Sequence, residues 1–335
     1  MVYEQNTGSR IIFFSPESVY GETNNEEVLE QLNLMIREKE KREPVSIKNL
    51  NRAQWTALLN ENNEDVLQTL INERKVIRGV YQERKEAEIA LRSWIGALPG
   101  LFFLAAEAGS GKTNVLVEMS RQYTERGLDT ILLRGNRFRS PDILEELCFR
   151  LNLTDDSIIE DAGFLNYEKE KPLMILIDGV NEHSNADTLL LSCLKFLEQH
   201  KGGHIKIIIS WRVNLKTELP SVDDKYSSLI YRDSNEDDKD LNIIAKSCHW
   251  LRPLDKTSIE SAWTKYVTDK QNKVHRKPKF TYEELLYHDR SLSEQLSNPL
   301  LLRLFLELNN GKGLPKDREG YVSVWTLYHE MLISQ

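Results

Sequence analysis

One stretch, residues 101–126, limits the possible folds of this chain more than any other. It opens with Leu101–Ala105 (LFFLA), an apolar run typical of a short buried strand. It closes with a helical pattern over Lys112–Arg126 that stops at Gly127. The glycine-containing loop AEAGSGKT, residues 106–113, joins the two. A strand, a tight loop and a helix in direct succession predict an α/β unit whose loop lies at the carboxyl edge of a sheet.

The loop matches the Walker A pattern GxxxxGK[ST], with Ala106 where the pattern has its first glycine. Backbone N–H groups at the start of a helix lack intrahelical partners and lie at the positive end of the helix dipole, so they attract phosphate. Lys112 would supply a mobile charge to the β- and γ-phosphates, and the Thr113 hydroxyl would bind Mg²⁺. The predicted nucleotide contacts in this loop are Glu107, Ala108, Gly109, Ser110, Gly111, Lys112, Thr113 and Asn114.

Apolar runs alternate with helical patterns beyond this loop, which predicts a parallel sheet buried on both faces. A helix is expected from Pro141, with Asp142 in its first turn, and another over Asn185–His200. Further strands are expected at Thr130–Leu133, Leu173–Ile177, Ile205–Ile209 and, as a fifth, Ser228–Tyr231. The predicted fold class is therefore α/β, a P-loop NTPase parallel sheet with helices on both faces.

The regions on either side of this core have mostly helical patterns. Before it, a short strand is expected at Arg10–Phe14 and helices at Glu26–Glu40, Ala53–Glu73 and Tyr81–Leu98. After Pro253 the pattern is helical through Ile333, which predicts a small all-α lid domain. The predicted domains are 1–78, a mostly helical N-terminal segment or linker, 79–250, the P-loop NTPase core, and 251–335, the helical lid.

Charged residues follow two of the predicted strands. Asp178 ends the run Leu173–Ile177, where it would hold Mg²⁺ together with Thr113, directly or through water. Glu182 would orient or deprotonate the attacking water, and Arg212, after Ile205–Ile209, would lie near the γ-phosphate. With Lys112, these two are the predicted catalytic residues. The alternatives are a turn or cap residue for Asp178 and a surface residue for Arg212.

Composition narrows the classes of partner. A net charge of −8 and a pI of about 5.6 argue against broad binding to a nucleic-acid backbone, which depends on clustered Lys and Arg. The three cysteines are far apart and form no CxxC, so neither a disulfide framework nor a zinc site is indicated. The sequence has no apolar run near the ~18 residues of a membrane span and no signal-peptide pattern. A cytoplasmic location is therefore expected.

Four motifs together resemble the STAND class of P-loop ATPases, and within it the NACHT proteins. They are the loop AEAGSGKT, the segment LMILIDGVNE that contains Asp178 and Glu182, the strand IIISWR that ends at Arg212, and Asn298–Leu302 (NPLLL). Read without the family, NPLLL is a helix start, with Asn298 as cap and Pro299 in the first turn. The resemblance covers residues 79–335. It implies that Tyr81 and Arg84 contribute to an adenine pocket and that Pro299 lies against the adenine.

The resemblance implies a nucleotide-dependent signalling switch that binds ATP or ADP with Mg²⁺ and hydrolyses ATP slowly. ADP would hold a closed form, and ATP an open form that assembles into a homo-oligomer in signalling or antiviral defence. The activating ligand is not identified by the sequence, and a foreign protein is one candidate. Asn181 stands where the family usually has a second acidic residue, a departure that bears on hydrolysis rather than on binding. Family members usually continue beyond the position of Gln335, so a fragment of a longer protein is expected.

Three other functions compete with this one. The main alternative is an AAA+-type cycling ATPase that acts as a motor or remodeller, which would turn over steadily where a switch is slow. A P-loop phosphotransferase would need an acceptor site and would act as a monomer. A scaffold that binds no nucleotide is disfavoured by the intact Lys112, Thr113 and Asp178.

Overall fold

The computed structural model describes residues 2–3, 12–13, 44–77, 79–154, 167–200, 204–215, 218–232, 242–268, 278–288, 292–309 and 311–314. The chain forms two compact units, Met1–Pro44 with Trp325–Gln335, and Val45–Val324. In the first unit, β1 (Val2–Tyr3) pairs antiparallel with β2 (Ile12–Phe13), which lies inside the strand predicted at Arg10–Phe14. The helix predicted at Glu26–Glu40 falls outside the described residues.

The second unit is built around a five-stranded sheet of order β4-β5-β6-β3-β7 in which all pairs are parallel. Its strands are β3 (Leu101–Ala106), β4 (Thr130–Arg134), β5 (Leu173–Asp178), β6 (Ile205–Arg212) and β7 (His249–Trp250). All residues of β3 and β4 are buried, as are all but the last of β5 and of β6. Burial on both faces explains why these four strands appear in the sequence as continuous apolar runs.

Helices cover both faces of this sheet, which confirms the predicted α/β fold class. The helices are α1 (Arg52–Asn72), α2 (Lys85–Ile95), α3 (Lys112–Glu125), α4 (Ile143–Leu151), α5 (Ala186–Gln199) and α6 (Ile243–Ser247). Side chains of β3 alternate between the two layers of core: Phe103 packs in a layer with residues of α4 and α5, and Phe102 in a layer with residues of α2 and α3.

The region that follows the sheet has an apolar core of its own. It contains α7 (Lys256–Thr268), α8 (Tyr282–His288), α9 (Leu292–Leu296) and α10 (Pro299–Leu308). Trp263 of α7 contacts the rings of Phe280 and Phe305 at centroid distances of 6.0 and 6.1 Å. We call these four helices the lid. Over the described residues, every helix is too short or too polar to cross a membrane.

Helix α1 covers the outer edge of β4, the strand at one end of the sheet. Asn63 Nδ2 donates to Thr130 O at 2.6 Å, and Asn63 Oδ1 accepts from Leu132 N at 2.7 Å. Asn62 Nδ2 donates to Leu132 O at 2.9 Å. The two amides therefore occupy backbone groups that an edge strand would otherwise leave open. Helix α1 lies in the predicted segment 1–78, whose boundary remains a prediction.

Three sequence-based expectations differ from the structure. Residues Asp224–Leu229 form a 3-10 helix, and Ile230 makes only an isolated bridge to Leu101, so the fifth strand is His249–Trp250. The helix expected from Pro141 begins at Ile143, because Asp142 accepts from two N–H groups and is the N-cap. The helix expected from Tyr81 begins at Lys85, so Tyr81 lies in a non-helical segment.

Candidate functional site

The loop between β3 and α3 has a hydrogen-bond donor on each of its successive carbonyl oxygens. Lys112 Nζ donates to Ala106 O and Glu107 O, both at 2.8 Å. Ala108 O accepts from Asn298 Nδ2 at 2.9 Å, and Gly109 O accepts from the N–H of Leu300 at 3.3 Å. Ser110 O accepts from Arg84 Nη2 at 2.6 Å.

These bonds fix the direction of the loop's N–H groups. A trans peptide is planar, and its C=O and N–H point in opposite directions. Asn298, Leu300 and Arg84 approach the carbonyls of residues 108–110 from outside the loop, so the amides of residues 109–111 are turned toward its inner side. Gly109 and Gly111 adopt φ angles of +72° and +95°, which a glycine tolerates without strain. The result is a concave set of N–H groups at the start of α3, suited to an anion.

Lys112 lies inside this loop rather than in open water. The pKa of its ammonium group is lowered to about 8, chiefly by burial and to a smaller extent by Arg212, against the opposing effect of Asp178. Its carbonyl partners are weak acceptors compared with phosphate oxygens, because a neutral acceptor forms the weaker hydrogen bond. An entering phosphate can therefore displace them.

Thr113 and Asp178 meet at the carboxyl end of the sheet. Thr113 Oγ1 donates to Asp178 Oδ2 at 2.8 Å. Ser210, on the neighbouring strand β6, donates to Asp178 Oδ1 at 2.8 Å and accepts from Gly179 N at 2.8 Å. Ser210 is fully buried, so it fixes the carboxylate of Asp178 in one orientation. Sequence reasoning missed Ser210, although a polar residue inside the apolar run IIISWR was a signal.

The segment after β5 forms a 3-10 turn, Val180–Glu182. Gly179 has a φ of +68°, and a Cβ on it would lie 3.0 Å from Glu182 Cδ, so the Glu182 side chain folds back against this turn. Asn181 bonds to the backbone of Arg212 through both atoms of its amide. Arg212 ends β6 as an exposed residue, and Ala106 is its register partner on β3. Glu182 and Arg212 are thereby held at the same sheet edge as Asp178.

The predicted adenine-pocket residues lie beside the loop, but their polar groups have other partners. Arg84 Nη1 donates to Arg252 O at 3.0 Å while its Nη2 holds Ser110 O. Burial lowers the pKa of Arg84 and raises that of Tyr81. Tyr81 O accepts from Lys265 Nζ of the lid at 2.7 Å. Arg84 is thus seen to support the phosphate loop from outside, and contact of either residue with a base remains a prediction.

Three other predicted nucleotide contacts, Pro299, Asn114 and Glu107, have different partners in the structure. A Cβ on Gly111 would lie 3.6 Å from Pro299 Cγ, which puts the proline against the loop backbone. Asn114 Nδ2 donates to Lys75 O at 3.1 Å, in the segment that follows α1. Glu107 is exposed, and its carbonyl accepts from Lys112 and from Ser110 Oγ at 2.8 Å. The use of Asn298 as a donor to the loop was not foreseen.

The fold and this loop together define a P-loop NTPase-like α/β domain. No protein-family model matches the chain, and no curated protein matches it. Similar solved structures include Cdc6p from Pyrobaculum aerophilum, with 16% identity and a TM-score of 0.35 over 55% of this chain and 48% of that one.

Two further solved structures are DnaA proteins. Domain III of the Thermotoga maritima replication initiation protein DnaA has 18% identity and a TM-score of 0.35, covering 68% of this chain and 93% of that one. AMPPCP-bound DnaA from Aquifex aeolicus has 16% identity and a TM-score of 0.38, covering 77% and 68%. Identities and TM-scores this low carry no information about the activity or partners of this chain.

Proposed function

We propose that this chain is an ATPase that binds ATP or ADP with Mg²⁺ in the loop 106–113 and hydrolyses ATP. One observation carries the proposal: Thr113 Oγ1 bonds to Asp178 Oδ2 at 2.8 Å, and the half-buried Lys112 next in the loop interacts electrostatically with the same carboxylate. The loop N–H groups and the Lys112 ammonium group suit the phosphates of a nucleotide. The Thr113 hydroxyl and the Asp178 carboxylate suit a hard metal ion bound to those phosphates.

The donor set fits Mg²⁺. Magnesium prefers oxygen ligands at about 2.1 Å in octahedral geometry, so neighbouring ligands lie about 3 Å apart. The Thr113 and Asp178 oxygens are 2.8 Å apart and both are hard donors. Mg²⁺ typically takes one or two protein ligands and completes its shell with phosphates and water. The ion would neutralise charge on the β- and γ-phosphates.

Each remaining residue has a distinct role in this proposal. Lys112 exchanges its carbonyl partners for β- and γ-phosphate oxygens. Ser210 holds Oδ1 of Asp178 by a hydrogen bond, which leaves Oδ2, beside Thr113, to bind Mg²⁺. Glu182 orients or deprotonates the attacking water, and Arg212 stabilises charge that develops on the γ-phosphate. Tyr81, Arg84 and Pro299 border the base, and adenine is the base proposed from the resemblance described above.

We infer further that the ATPase works as a slow signalling switch of the STAND type. The contacts between the lid and the phosphate loop support this, because a lid bonded to the loop favours retention of nucleotide over rapid exchange. The proposal includes a homo-oligomeric ATP form, an activating ligand such as a foreign protein, a role in defence and a cytoplasmic location.

The second candidate is a cycling ATPase of the AAA+ type, the class of the Cdc6p and DnaA structures. It uses the same phosphate loop, acidic strand end and helical lid. Turnover separates the two: a motor hydrolyses ATP steadily, and a switch purifies with bound ADP and turns over slowly. Chromatography of the nucleotide released on denaturation, together with the steady-state rate, decides between them.

Substitution of Lys112 tests the proposed site itself. We expect Lys112→Ala to reduce ATP affinity at least a hundredfold with an unchanged circular dichroism spectrum, because the lysine serves the phosphates and not the core. Lys195→Ala, on α5, is the matched control and should bind ATP normally. Retained affinity in Lys112→Ala would refute the phosphate-loop assignment.

A further inference from the structure

Asn298 uses both atoms of its side-chain amide. Its Oδ1 accepts from Leu300 N at 3.0 Å and from Leu301 N at 3.4 Å, which makes it the N-cap of α10. Its Nδ2 donates to Ala108 O at 2.9 Å, across a sequence separation of 190 residues. We propose that Asn298 is a positioning residue through which the lid controls how tightly the phosphate loop holds bound nucleotide. This inference rests on the proposed function.

The lid bonds to two of the five carbonyl groups of residues 106–110. Ala108 O and Gly109 O bond to α10, whereas Lys112 and Arg84 hold the other carbonyls between residues 106 and 110. Since each carbonyl fixes the amide that follows it, α10 sets the direction of the Gly109 and Ser110 N–H groups. Two of the amides that face the phosphate therefore depend on the position of the lid.

The approach of the lid is close enough to exclude any side chain at Gly109. A Cβ on this glycine would lie 2.7 Å from Asn298 Oδ1 and 2.8 Å from Leu300 Cβ. Contacts this short require glycine whatever its φ angle. The loop and the N-terminus of α10 thus form one bonded surface, with Asn298 at its centre.

Movement of the lid would remove the donors from Ala108 O and Gly109 O together. The two peptide planes would then be free to rotate, and the phosphate would lose donors that are aimed in advance. A bound phosphate in turn favours the plane orientation that the lid stabilises. Lid position and nucleotide retention are therefore coupled through this contact, and the coupling acts in both directions.

Two substitutions separate the loop contact from the helix cap. Asn298→Asp keeps an acceptor for the cap but has no donor for Ala108 O. Asn298→Ser keeps a capping oxygen without adding charge, and its hydroxyl, although it can donate, ends one bond short of the position of Asn298 Nδ2. We expect both to release a fluorescent ADP analogue about tenfold faster than the wild type, the effect of losing one hydrogen bond. Release would be followed by stopped flow with excess unlabelled ADP and Mg²⁺, and the unfolding midpoint of each variant would be measured in parallel.

Asn242 provides a matched control within the same chain. It caps α6 through Oδ1, which accepts from Ala245 N at 2.8 Å, and its Nδ2 donates to Leu219 O at 3.1 Å. Asn242→Asp therefore makes the same chemical change at the same kind of cap, in a contact that does not involve the phosphate loop. Its release rate should equal that of the wild type.

Each contrary result has a definite meaning. Wild-type release in both Asn298 variants would reduce Asn298 to a helix cap. Acceleration in Asn298→Asp alone would show repulsion of phosphate by the new charge, and acceleration in Asn242→Asp would show a general effect of stability. Either would overturn the inference while leaving nucleotide binding intact. A wild-type protein without measurable ADP affinity would overturn the proposed function as well.

Discussion

The side-chain amide of Asn181 pairs with both backbone groups of Arg212: Oδ1 accepts from Arg212 N at 2.8 Å, and Nδ2 donates to Arg212 O at 3.3 Å. The turn Val180–Glu182 is thereby joined to the end of β6. An ionised aspartate accepts hydrogen bonds but cannot donate them. The amide of Asn181, unlike an ionised carboxylate, makes both halves of this pairing.

Substitution of Asn181 by aspartate should therefore slow hydrolysis. We expect Asn181→Asp to lower kcat for ATP about tenfold with little change in KM, because the donor to Arg212 O is lost and the turn that carries Glu182 loosens. Activity should recover as the pH falls toward the pKa of the new carboxyl, since a protonated aspartate can donate again. Asn185→Asp, exposed on the same segment, is the control. Faster hydrolysis in Asn181→Asp would show that the position lacks a catalytic acid.

Asp178 should account for the effect of Mg²⁺ on ATP affinity. In Asp178→Asn we expect the gain in affinity from Mg²⁺ to fall at least tenfold, because a neutral amide replaces the carboxylate beside Thr113. Titration calorimetry with Mg²⁺ and with a chelator measures this gain. Ser210→Ala should lower the gain more mildly, and Asp187→Asn, exposed on α5, should leave it unchanged. Equal losses with and without Mg²⁺ would contradict a metal-binding role.

The lowered pKa of Lys112 predicts that ATP affinity depends on pH. The ammonium form binds phosphate, and a pKa of about 8 means that this form is depleted above pH 8 in the free protein. We expect affinity to fall about tenfold between pH 7 and pH 9, with proton uptake on binding at the higher pH. Lys112→Arg keeps its charge throughout this range and should lose the pH dependence even if its affinity is lower. Constant affinity in the wild type would mean that Lys112 stays charged.

Asn63 should contribute strongly to the stability of the domain. Asn63→Ala removes the bonds to Thr130 O and Leu132 N, and it leaves those backbone groups without their partner beneath α1. We expect the free energy of unfolding to fall by about 2–3 kcal/mol, the cost of unsatisfied polar groups. Urea denaturation measures it. Asn60→Ala, exposed on the same helix, should change it by less than about 0.5 kcal/mol.

The parts of the fold that depend on local pattern were predictable. Strands β3 and β5 are buried on both faces, so their residues form uninterrupted apolar runs. Strand β7 has only two residues, His249 and Trp250, and is a strand because β3 offers it an edge. No local pattern marks such a strand, so the prediction went to the more apolar Ser228–Tyr231 and was wrong.

In the candidate site, too, the features set by local sequence were predictable and those set by contacts between distant segments were not. The phosphate loop is contiguous in the chain, and its glycines, lysine and threonine were recognisable from their spacing. Asn298 was recognised as a helix cap, but its bond to Ala108 O joins segments 190 residues apart. Asn62 and Asn63 lie on a polar helix, where the sequence does not distinguish a side chain that faces water from one that bonds to a sheet edge.

The amides of α1 on β4 also govern how this protein can meet other chains. An uncovered strand edge is a template on which a second molecule can extend the sheet, the route by which many proteins form fibres. Here Thr130 O and both backbone groups of Leu132 are already occupied by Asn62 and Asn63. Growth of the sheet from β4 would first require α1 to detach, so α1 protects the domain against edge-to-edge aggregation.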